Sequence, residues 1–456
     1  MPVLSKARGA RLDPARTLVI GFLAIIVVGA VLLCLPISSK ERVFTPFFDC
    51  LFTATSATCV TGLIVYDTFT HWSLFGQGVI ALLIQTGGLG FVTLITFFNI
   101  AAGKKLGYRT LKNAAGDLTE SSFEGGRRIL VSIMKYSLIF ELCGAVAMAF
   151  VFVPRYGAYG VWISVFMSVT AFCNAGFDLL GMEGQFSSLT AFQSEPVVLI
   201  TISLLIIIGG LGFIVWENFL NIRTVKKLSL HSRAVLVMTA VLVAGGTVFY
   251  LAAEWNNPQT LGGMNFGEKL LNAFFSSVTA RTAGYNSISV EGMTEFSQLG
   301  TVLLMFIGAA PASTGGGIKV TTLLVLIMTV ASYMRAKNDV EVFGRKIDKL
   351  TVYRTLVITV LSMLAVGICF GALYFSTPND VKGGGAVQCL FEAVSAFSTT
   401  GLSAGTTAVA GTAGRVLLVL TMFTGRVGPV SLVMSLVLNT KKRKDIIVPD
   451  GHILIG

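Results

Sequence analysis

Four stretches of the 456-residue chain share one pattern: FTATSATCVTGL (52–63), FMSVTAFCNAGF (166–177), FFSSVTARTAGY (274–285) and FEAVSAFSTTGL (391–402). Each begins with a phenylalanine that lies ten residues before a glycine, and a large apolar residue follows that glycine. The four glycines are separated by 114, 108 and 117 residues. A near-constant period is the sequence signature of internal repeats. The pattern therefore predicts four copies of one structural unit.

Each copy lies between two apolar segments that are long enough to cross a bilayer, which takes about 20 residues. The segments before the copies are 17–36, 129–153, 234–253 and 352–375, and those after them are 73–102, 196–222, 297–334 and 413–440. The copy itself is an apolar stretch of about eleven residues, which is too short to span and is typical of a re-entrant segment. Loop backbone at membrane depth must be buried in protein or line a watery cavity. The unit is therefore a span, a pore helix with its loop, and a second span.

These units predict an all-α polytopic membrane protein with eight transmembrane helices and four pore helices around one pore. The predicted segments are a cytoplasmic N-terminal segment (1–16), four repeats (17–102, 129–222, 234–334 and 352–440), cytoplasmic loops between them (103–128, 223–233 and 335–351) and a cytoplasmic tail (441–456). Each repeat adds two spans, so all four face the same way, whereas inverted repeats are typical of alternating-access transporters. This favours a fourfold pore.

The composition supports membrane embedding, because 54% of the residues are hydrophobic and only 12% are charged, whereas a soluble domain carries about 25% charged residues. The net charge is +11, and 24 of the 34 lysines and arginines lie before Thr17 or in 103–128, 223–233, 335–354 and 441–444. This alternation follows the positive-inside rule and predicts that both termini are cytoplasmic. The basic residues therefore report topology and do not indicate nucleic-acid binding.

The sequence offers no constellation for catalysis. The seven cysteines lie singly, without a CxxC pair, and the three histidines are scattered. The chain has no GxGxxG nucleotide-binding fingerprint of its own. We therefore expect neither an enzyme nor an organic cofactor in this chain.

The repeat glycines suit a cation filter, because rings of backbone carbonyls can replace the hydration shell of an ion and glycine reaches unusual backbone angles without steric cost. The helix dipoles of the pore helices would add a favourable negative end. The alternative for any single glycine is a tight turn. The predicted K⁺-binding filter residues are Thr58, Cys59, Val60, Thr61, Gly62, Cys173, Asn174, Ala175, Gly176, Thr282, Ala283, Gly284, Ser398, Thr399, Thr400 and Gly401.

The span after the third copy contains a proline and a glycine triplet, which should break its helix. We interpret the break as a mobile gate; the alternative is a fixed kink needed for packing. Arg426 lies in the last span, where a bare guanidinium is expensive, and should face the bundle interior, where it would bond loop carbonyls or form a positive barrier below the filter. The alternative is a snorkelling side chain or a structural ion pair. Lys319 either anchors the broken helix or reaches toward the cytoplasm. The predicted gate residues are Ala312, Ser313, Thr314, Gly315, Gly316, Gly317, Lys319 and Arg426.

Other buried polar residues have expected structural roles. Arg281 lies three residues before a filter glycine and should point behind the filter, with Glu392 as one possible partner. Glu141 needs a satisfied polar environment inside its span. The two GGLGF sequences (87–91 and 209–213) are either hinges or, more commonly in membranes, sites of close helix packing.

Over nearly its whole length the chain resembles the Trk/Ktr/HKT superfamily of K⁺ transporters, and is most similar to the bacterial Ktr-type membrane subunits. The resemblance rests on seven motifs: ATCVTGL (57–63), GGLGF (87–91 and 209–213), TARTAGYN (279–286), PASTGGGIK (311–319), FSTTGLS (397–403) and TGRVGP (424–429). All four filter glycines are present, whereas some plant relatives with Na⁺ preference have serine in the first loop. The resemblance also implies an intramembrane gating loop at the glycine triplet and a constriction at Arg426.

The resemblance implies K⁺ uptake across the bacterial plasma membrane, with Na⁺ dependence left open; the alternative is a cation symporter that works by alternating access. It also implies a homodimer that rests on a cytosolic ring of nucleotide-binding regulatory (RCK/KTN-type) subunits. The basic loops 103–128 and 335–354 are the expected docking surfaces. The remaining expected partner is membrane lipid.

Overall fold

The computed structural model describes residues 14–90, 123–220, 228–337, 339–378 and 383–436. Helices account for nearly all of the regular structure in these ranges. In chain order they are α1 (Pro14–Cys34), α2 (Phe47–Thr58), α3 (Leu74–Leu89), α4 (Phe123–Tyr156), α5 (Ala158–Phe172), α6 (Pro196–Leu211), α7 (Phe213–Leu220), α8 (Leu230–Glu254), α9 (Phe266–Thr279), α10 (Glu295–Phe306), α11 (Val320–Met334), α12 (Lys349–Ser376), α13 (Ala386–Ser398), α14 (Thr412–Val427) and α15 (Pro429–Leu436). Single helical turns at Pro36–Ser38, Thr68–His71, Thr190–Phe192 and Thr406–Val409 lie in the connections.

Four of these helices, α1, α4, α8 and α12, are long and apolar enough to cross a membrane, and the number rises to six if two bent helix pairs each count as one span. Large aliphatic and aromatic side chains on their outer faces are exposed, as on Val28, Phe150 and Phe375. Exposed apolar surface on this scale marks a surface that faces lipid or another apolar partner. The chain is therefore a multi-pass membrane protein.

Each long helix is followed by a short one of 12 to 15 residues, namely α2, α5, α9 and α13. The short helices are buried along most of their length, and their phenylalanines Phe52, Phe166, Phe275 and Phe391 are at most 1% exposed. The start of α9 is fixed by a capping box, in which the Asn265 side chain accepts from the Glu268 N–H and the Glu268 carboxylate accepts from the Asn265 N–H. The short helices thus form the interior of the molecule.

The helices that follow the short ones are not continuous spans. The pair α6 and α7 bends by 95° and the pair α14 and α15 by 96°, at positions within the spans that the sequence pattern predicts at 196–222 and 413–440. The physical cause is a glycine at each bend, Gly212 with φ 87° and Gly428 with φ 90°, because a positive φ cannot continue a right-handed helix. Gly90 ends α3 in the same way, with φ 83°. The rest of the predicted span 73–102 lies outside the described residues.

The GGLGF sequences are sites of close helix packing, which is one of the two roles that the sequence left open. The first glycine of each packs against the end of a short helix: a Cβ on Gly87 would overlap the carbonyl oxygen of Thr58, and a Cβ on Gly209 that of Phe172. Gly425 stands in the same relation to Phe397. Small residues let helices approach to backbone contact. Gly212, the last glycine of the second motif, then lies at the bend between α6 and α7, and Gly90, the last of the first, ends α3.

A two-stranded hairpin, β1 (Glu341–Val342) and β2 (Arg345–Lys346), connects α11 with α12. Phe343 at its turn packs under the Arg233 guanidinium, which lies 4.6 Å from the ring centroid. This hairpin occupies the loop that the charge pattern assigns to the cytoplasm.

Candidate functional site

The four repeat glycines form a closed ring in which each lies against the next repeat. A Cβ on any of them would come closer than 3.0 Å to the carbonyl oxygen of the residue before the next glycine, which no real Cβ tolerates. The pairs are Gly62 with Ala175, Gly176 with Ala283, Gly284 with Thr400, and Gly401 with Thr61. The contacts follow the order of the repeats and return from the fourth to the first. This glycine ring (Gly62, Gly176, Gly284 and Gly401) therefore brings four backbone carbonyl oxygens together.

The loops that carry the ring have a repeated and unusual backbone. All four glycines have a positive φ, between 70° and 93°. Two residues earlier, each loop has a second positive φ at a residue other than glycine: Val60 (58°), Asn174 (60°), Thr282 (74°) and Thr399 (53°). Three of these residues are β-branched, for which a positive φ is a true outlier. Such strain costs of order 1–3 kcal/mol per residue and is kept where the surroundings enforce it, often at functional sites.

Hydrogen bonds from the short helices hold the first and fourth loops in the same way. The Gly62 N–H donates to the Ser56 hydroxyl (3.1 Å), and the Gly401 N–H donates to the Ser395 hydroxyl (3.0 Å). The third loop differs, because the residue six before its glycine is Val278, which has no hydroxyl. The fourfold relation is therefore close in backbone geometry and approximate in side chains.

The remaining predicted filter residues lie at the ends of the short helices. Cys59 and Cys173 cap α2 and α5, and the Cys173 thiol donates to the Gln85 amide oxygen at 3.5 Å. The Ser398 hydroxyl donates to the Val394 carbonyl within α13. The Thr58 hydroxyl is buried and has no hydrogen-bond partner among the described residues. Ser398 and the Thr400 hydroxyl of the fourth ring loop also share a hydrogen bond of 2.8 Å, so the side-chain bonds of this group go to helices and to that loop.

A cavity of about 640 Å³ opens on one side of the ring, and all four glycines lie in its wall. Its lining is rich in serine, threonine, asparagine and glutamine, and among the described lining residues the charged ones are Asp178 and Glu291. Desolvation raises the pKa of Asp178 to about 7, and the charge of Asp67 adds to this, whereas hydrogen bonds from the Leu180 N–H and from Ser188 lower it. The cavity is therefore polar and free of basic side chains along its described wall.

Residues 307–319, here called the broken-helix segment, separate α10 from α11. The segment is anchored to the end of α6 by backbone bonds: the Ala310 N–H donates to the Gly210 carbonyl (3.0 Å), and the Thr314 N–H donates to the Gly209 carbonyl (3.3 Å). The Phe213 N–H in turn donates to the Ala312 carbonyl at 2.9 Å. The polar backbone exposed by the break is thus largely satisfied within the protein.

The glycines of the broken-helix segment pack directly against the ring loops. A Cβ on Gly315 would overlap the Thr282 hydroxyl, and a Cβ on Gly316 would overlap that of Thr399. Thr282 and Thr399 are two of the residues with a strained backbone. Gly317 has φ 66° and packs against Ser398. The segment and the ring loops are therefore in contact through residues that have no room for another methyl group.

Two basic side chains, Arg426 and Lys319, hold the broken-helix segment in place. The Arg426 guanidinium donates to the carbonyl oxygens of Thr314, Gly87 and Gly88. It thereby ties the segment to α3 from the first repeat. The Lys319 ammonium donates to the Gly315 carbonyl at 2.7 Å, so of the two orientations that the sequence left open it takes the anchoring one.

The pairing suggested for Arg281 is not what the structure contains. Its Nη2 donates to the Thr239 hydroxyl at 3.4 Å, and its Nε has no partner among the described residues. Glu392 instead accepts from the Ser403 hydroxyl, from the Ala404 N–H, and from the N–H and hydroxyl of Thr407. These donors follow the fourth ring glycine in the chain, so Glu392 connects the residues after that loop to α13. Sequence spacing carries no signal for this contact, because hydroxyls are frequent in every loop.

Glu141 has the polar environment that its position requires. The Gln85 amide donates to both of its carboxylate oxygens, at 2.9 and 3.2 Å. Gln85 also accepts from the Cys173 thiol, so this network joins α3, α4 and the end of α5.

Comparison with known proteins gives a consistent result. Residues 13–444 match the family model TrkH, described as a cation transport protein. The chain is 39% identical to the potassium/sodium uptake protein NtpJ of Enterococcus hirae, with all of both chains covered. It is 38% identical to the Ktr system potassium uptake protein B of Bacillus subtilis, with 98% of this chain and 97% of the relative covered.

The chain belongs to the TrkH family of cation transport proteins. Membership in the Trk/Ktr group, which the seven motifs suggest, is thereby confirmed. The crystal structure of the potassium transporter TrkH from Vibrio parahaemolyticus has the same fold, with a TM-score of 0.70 at 17% identity over 96% of this chain and 87% of that chain. The family is one of transporters, not of enzymes.

Proposed function

We propose that this TrkH-family chain takes up K⁺ through a channel-like pore in which the glycine ring and its loops form the selectivity filter. The observation that carries the proposal is the closed order of contacts in the ring, in which each glycine adjoins the carbonyl oxygen before the next one. Four carbonyl oxygens from four repeats are the type of ligand set that replaces the hydration shell of a cation. Relatives named for potassium uptake support K⁺ as the ion.

The broken-helix segment is the proposed gate. It lies against Thr282 and Thr399 of the ring loops and is tied down by Arg426 and Lys319. Three consecutive glycines allow the backbone to adopt other conformations at little steric cost. Breaking the Arg426 bonds would remove the tie between Thr314 and α3 and leave Thr314 held by its backbone bond to Gly209.

The partner subunit is also a proposal. One relative is named as a component of a Ktr system, which supports a second component for this chain. A cytosolic nucleotide-binding ring that docks on 103–128 and 335–354, under a homodimer, agrees with the basic charge of these loops. The hairpin Glu341–Lys346 belongs to the second docking surface; residues 103–122 of the first lie outside the described residues.

Flux of ⁸⁶Rb⁺ into liposomes that contain the purified chain tests the function. We expect uptake that follows the K⁺ gradient, and a reduced K⁺/Na⁺ preference in Gly62→Ser. Gly78→Ser is the matched control, because a Cβ at Gly78 meets no atom within 4 Å. Unchanged selectivity in serine variants of all four ring glycines would refute the filter assignment.

The same assay separates a channel from a symporter. A channel carries ⁸⁶Rb⁺ without Na⁺, and an imposed Na⁺ gradient then changes the rate only through the membrane potential. Uphill ⁸⁶Rb⁺ accumulation that requires inward Na⁺ at a clamped potential would instead establish alternating access with coupled ions.

A further inference from the structure

We propose that the polar cavity on one side of the glycine ring contains a discrete binding position for a monovalent cation. The Asp178 carboxylate of repeat 2 and the Ser287 hydroxyl of repeat 3 form this position. The position lies in the wall of the cavity that opens onto the glycine ring. It would hold a K⁺ ion before that ion enters the ring. The proposal rests on the proposed function, which supplies K⁺ as the ligand.

The backbone brings the two residues to one place. Asp178 follows the ring glycine of repeat 2 by two residues, and Ser287 follows the ring glycine of repeat 3 by three. Ser188 links the two loops, because its side chain bonds to Asp178 and its hydroxyl accepts from the Asn286 N–H at 3.3 Å. The Leu189 N–H donates to the Asn286 carbonyl at 2.9 Å. Both Asp178 and Ser287 line the cavity.

Asp178 has few groups to compensate its charge. Its Oδ1 accepts from the Leu180 N–H at 3.0 Å, and the Ser188 side chain gives the other bond. Glu392, the buried carboxylate of repeat 4, receives four donors. Among the described residues Asp178 has no ion-pair partner and no basic side chain lines its cavity. A partly buried carboxylate without a counter-charge is unfavourable, and a bound cation would supply that charge.

Ser287 gives an independent indication. Its side chain is fully buried, and its hydroxyl has no hydrogen-bond partner among the described residues. A buried hydroxyl without a partner is costly, so native proteins usually satisfy it with protein, water or an ion. A hydroxyl and a carboxylate in the wall of one cavity together offer the oxygen ligands that hard cations prefer. Na⁺ would use the same oxygens, and competition between the two ions reports which is bound.

The test is ⁸⁶Rb⁺ uptake by the purified full chain in liposomes, with the Asp178→Asn and Ser287→Ala variants. We expect the half-saturating ⁸⁶Rb⁺ concentration to rise about fivefold or more in Asp178→Asn and about two- to threefold in Ser287→Ala. A fivefold change corresponds to RT ln 5, which is about 1 kcal/mol of binding free energy. The maximal rate should stay within about twofold of that of the native chain. The K⁺/Na⁺ preference should stay unchanged, since the glycine ring is intact. Glu195→Gln is the matched control, because Glu195 is exposed, lies two residues along the chain from the cavity-lining Gln193, and its substitution also removes one negative charge.

Equilibrium binding of ⁸⁶Rb⁺ to the detergent-purified chain gives a readout that does not depend on transport. The native chain should bind ⁸⁶Rb⁺ at this position about fivefold or more tightly than Asp178→Asn, and thermal unfolding of the variant should match that of the native chain. Equal binding and equal half-saturation in native chain and variant would overturn the site. The site is also overturned if Glu291→Gln reproduces the Asp178→Asn effect while Ser287→Ala has none, because that result indicates long-range attraction only. Absence of flux in the native chain would instead refute the proposed function, and the binding measurement would still decide the site.

Discussion

The carbonyl oxygen of Ala283 lies 2.6 Å from the point where a Cβ on Gly176 would be. Repeats 2 and 3 therefore meet backbone to backbone at this point, and the other three junctions of the ring have the same form. A contact of this kind makes each glycine necessary twice, once for its positive φ and once for the space that its neighbour occupies. The four loops consequently depend on one another for their geometry.

Gly176→Ala is expected to lower K⁺/Na⁺ selectivity and to slow ⁸⁶Rb⁺ uptake at least tenfold. The new Cβ would clash with Ala283 O, and alanine at φ 70° adds strain of about 1 kcal/mol or more. Uptake in liposomes and reversal potentials in planar bilayers measure both effects. Gly78→Ala should leave them unchanged, because open space surrounds that position. Native selectivity in Gly176→Ala would contradict the role of the ring.

Gly209→Ala should destabilise the fold by about 1–3 kcal/mol, which is the usual cost of overpacking. Its Cβ would overlap the Phe172 carbonyl oxygen and lie 2.9 Å from the Thr314 hydroxyl. The neighbouring Gly210→Ala is the control, since its closest atom would be 3.6 Å away, at ordinary contact distance. Thermal unfolding in detergent should show a lower Tm for the first variant alone. Equal Tm values would mean that α6 can shift away from α5.

Gly316→Ala should disturb the contact between the broken-helix segment and the ring loops, and Thr399→Ala should partly restore it. The added Cβ would overlap the Thr399 hydroxyl and lie 2.8 Å from its Cγ2, both of which the second change removes. A double-mutant cycle on ⁸⁶Rb⁺ flux should therefore give a coupling energy of about 0.5–3 kcal/mol. Purely additive effects would show that the segment moves freely beneath the ring.

Arg426→Gln should raise basal flux, because glutamine cannot bond to Thr314 and Gly87 together and the segment loses its tie to α3. Arg426→Lys should give an intermediate flux, since an ammonium keeps the charge but lacks the planar fork of a guanidinium. Leak of ⁸⁶Rb⁺ from loaded liposomes measures the effect. A lower leak in Arg426→Gln would indicate that the guanidinium opens the pathway and would reverse our assignment.

Glu392→Ala should lower the free energy of unfolding by about 2–5 kcal/mol, because the N–H groups of Ala404 and Thr407 lose their acceptor and each buried unsatisfied donor costs about 1–3 kcal/mol. Glu183→Ala is the control, since its ion pair with Arg155 is partly exposed and such pairs contribute about 0–1 kcal/mol. Thermal unfolding gives the stability, and ⁸⁶Rb⁺/Na⁺ selectivity reports whether the fourth loop keeps its shape. Equal losses in both variants would show that the Glu392 contacts are not important.

Much of the plan of the molecule follows from local pattern. The period of the four glycines and the lengths of the apolar segments predict long helices followed by short buried ones, and the proline and glycines at 308–317 predict the break between α10 and α11. These features depend on hydrophobic length and backbone propensity, which act within a few residues of each position. They are therefore visible in the sequence.

The contacts that define the site were decided only in the tertiary structure. The order of the ring, the strained backbone at Val60 and Thr282, the pairing of Glu392 with the loop after its helix, and the position of Asp178 beside Ser188 all join residues that packing brings together. A positive φ at a β-branched residue opposes local propensity, so only the surrounding contacts can impose it. The sequence determined that four glycine loops exist. Tertiary packing decided that these loops close into one ring and that the broken-helix segment is held against them.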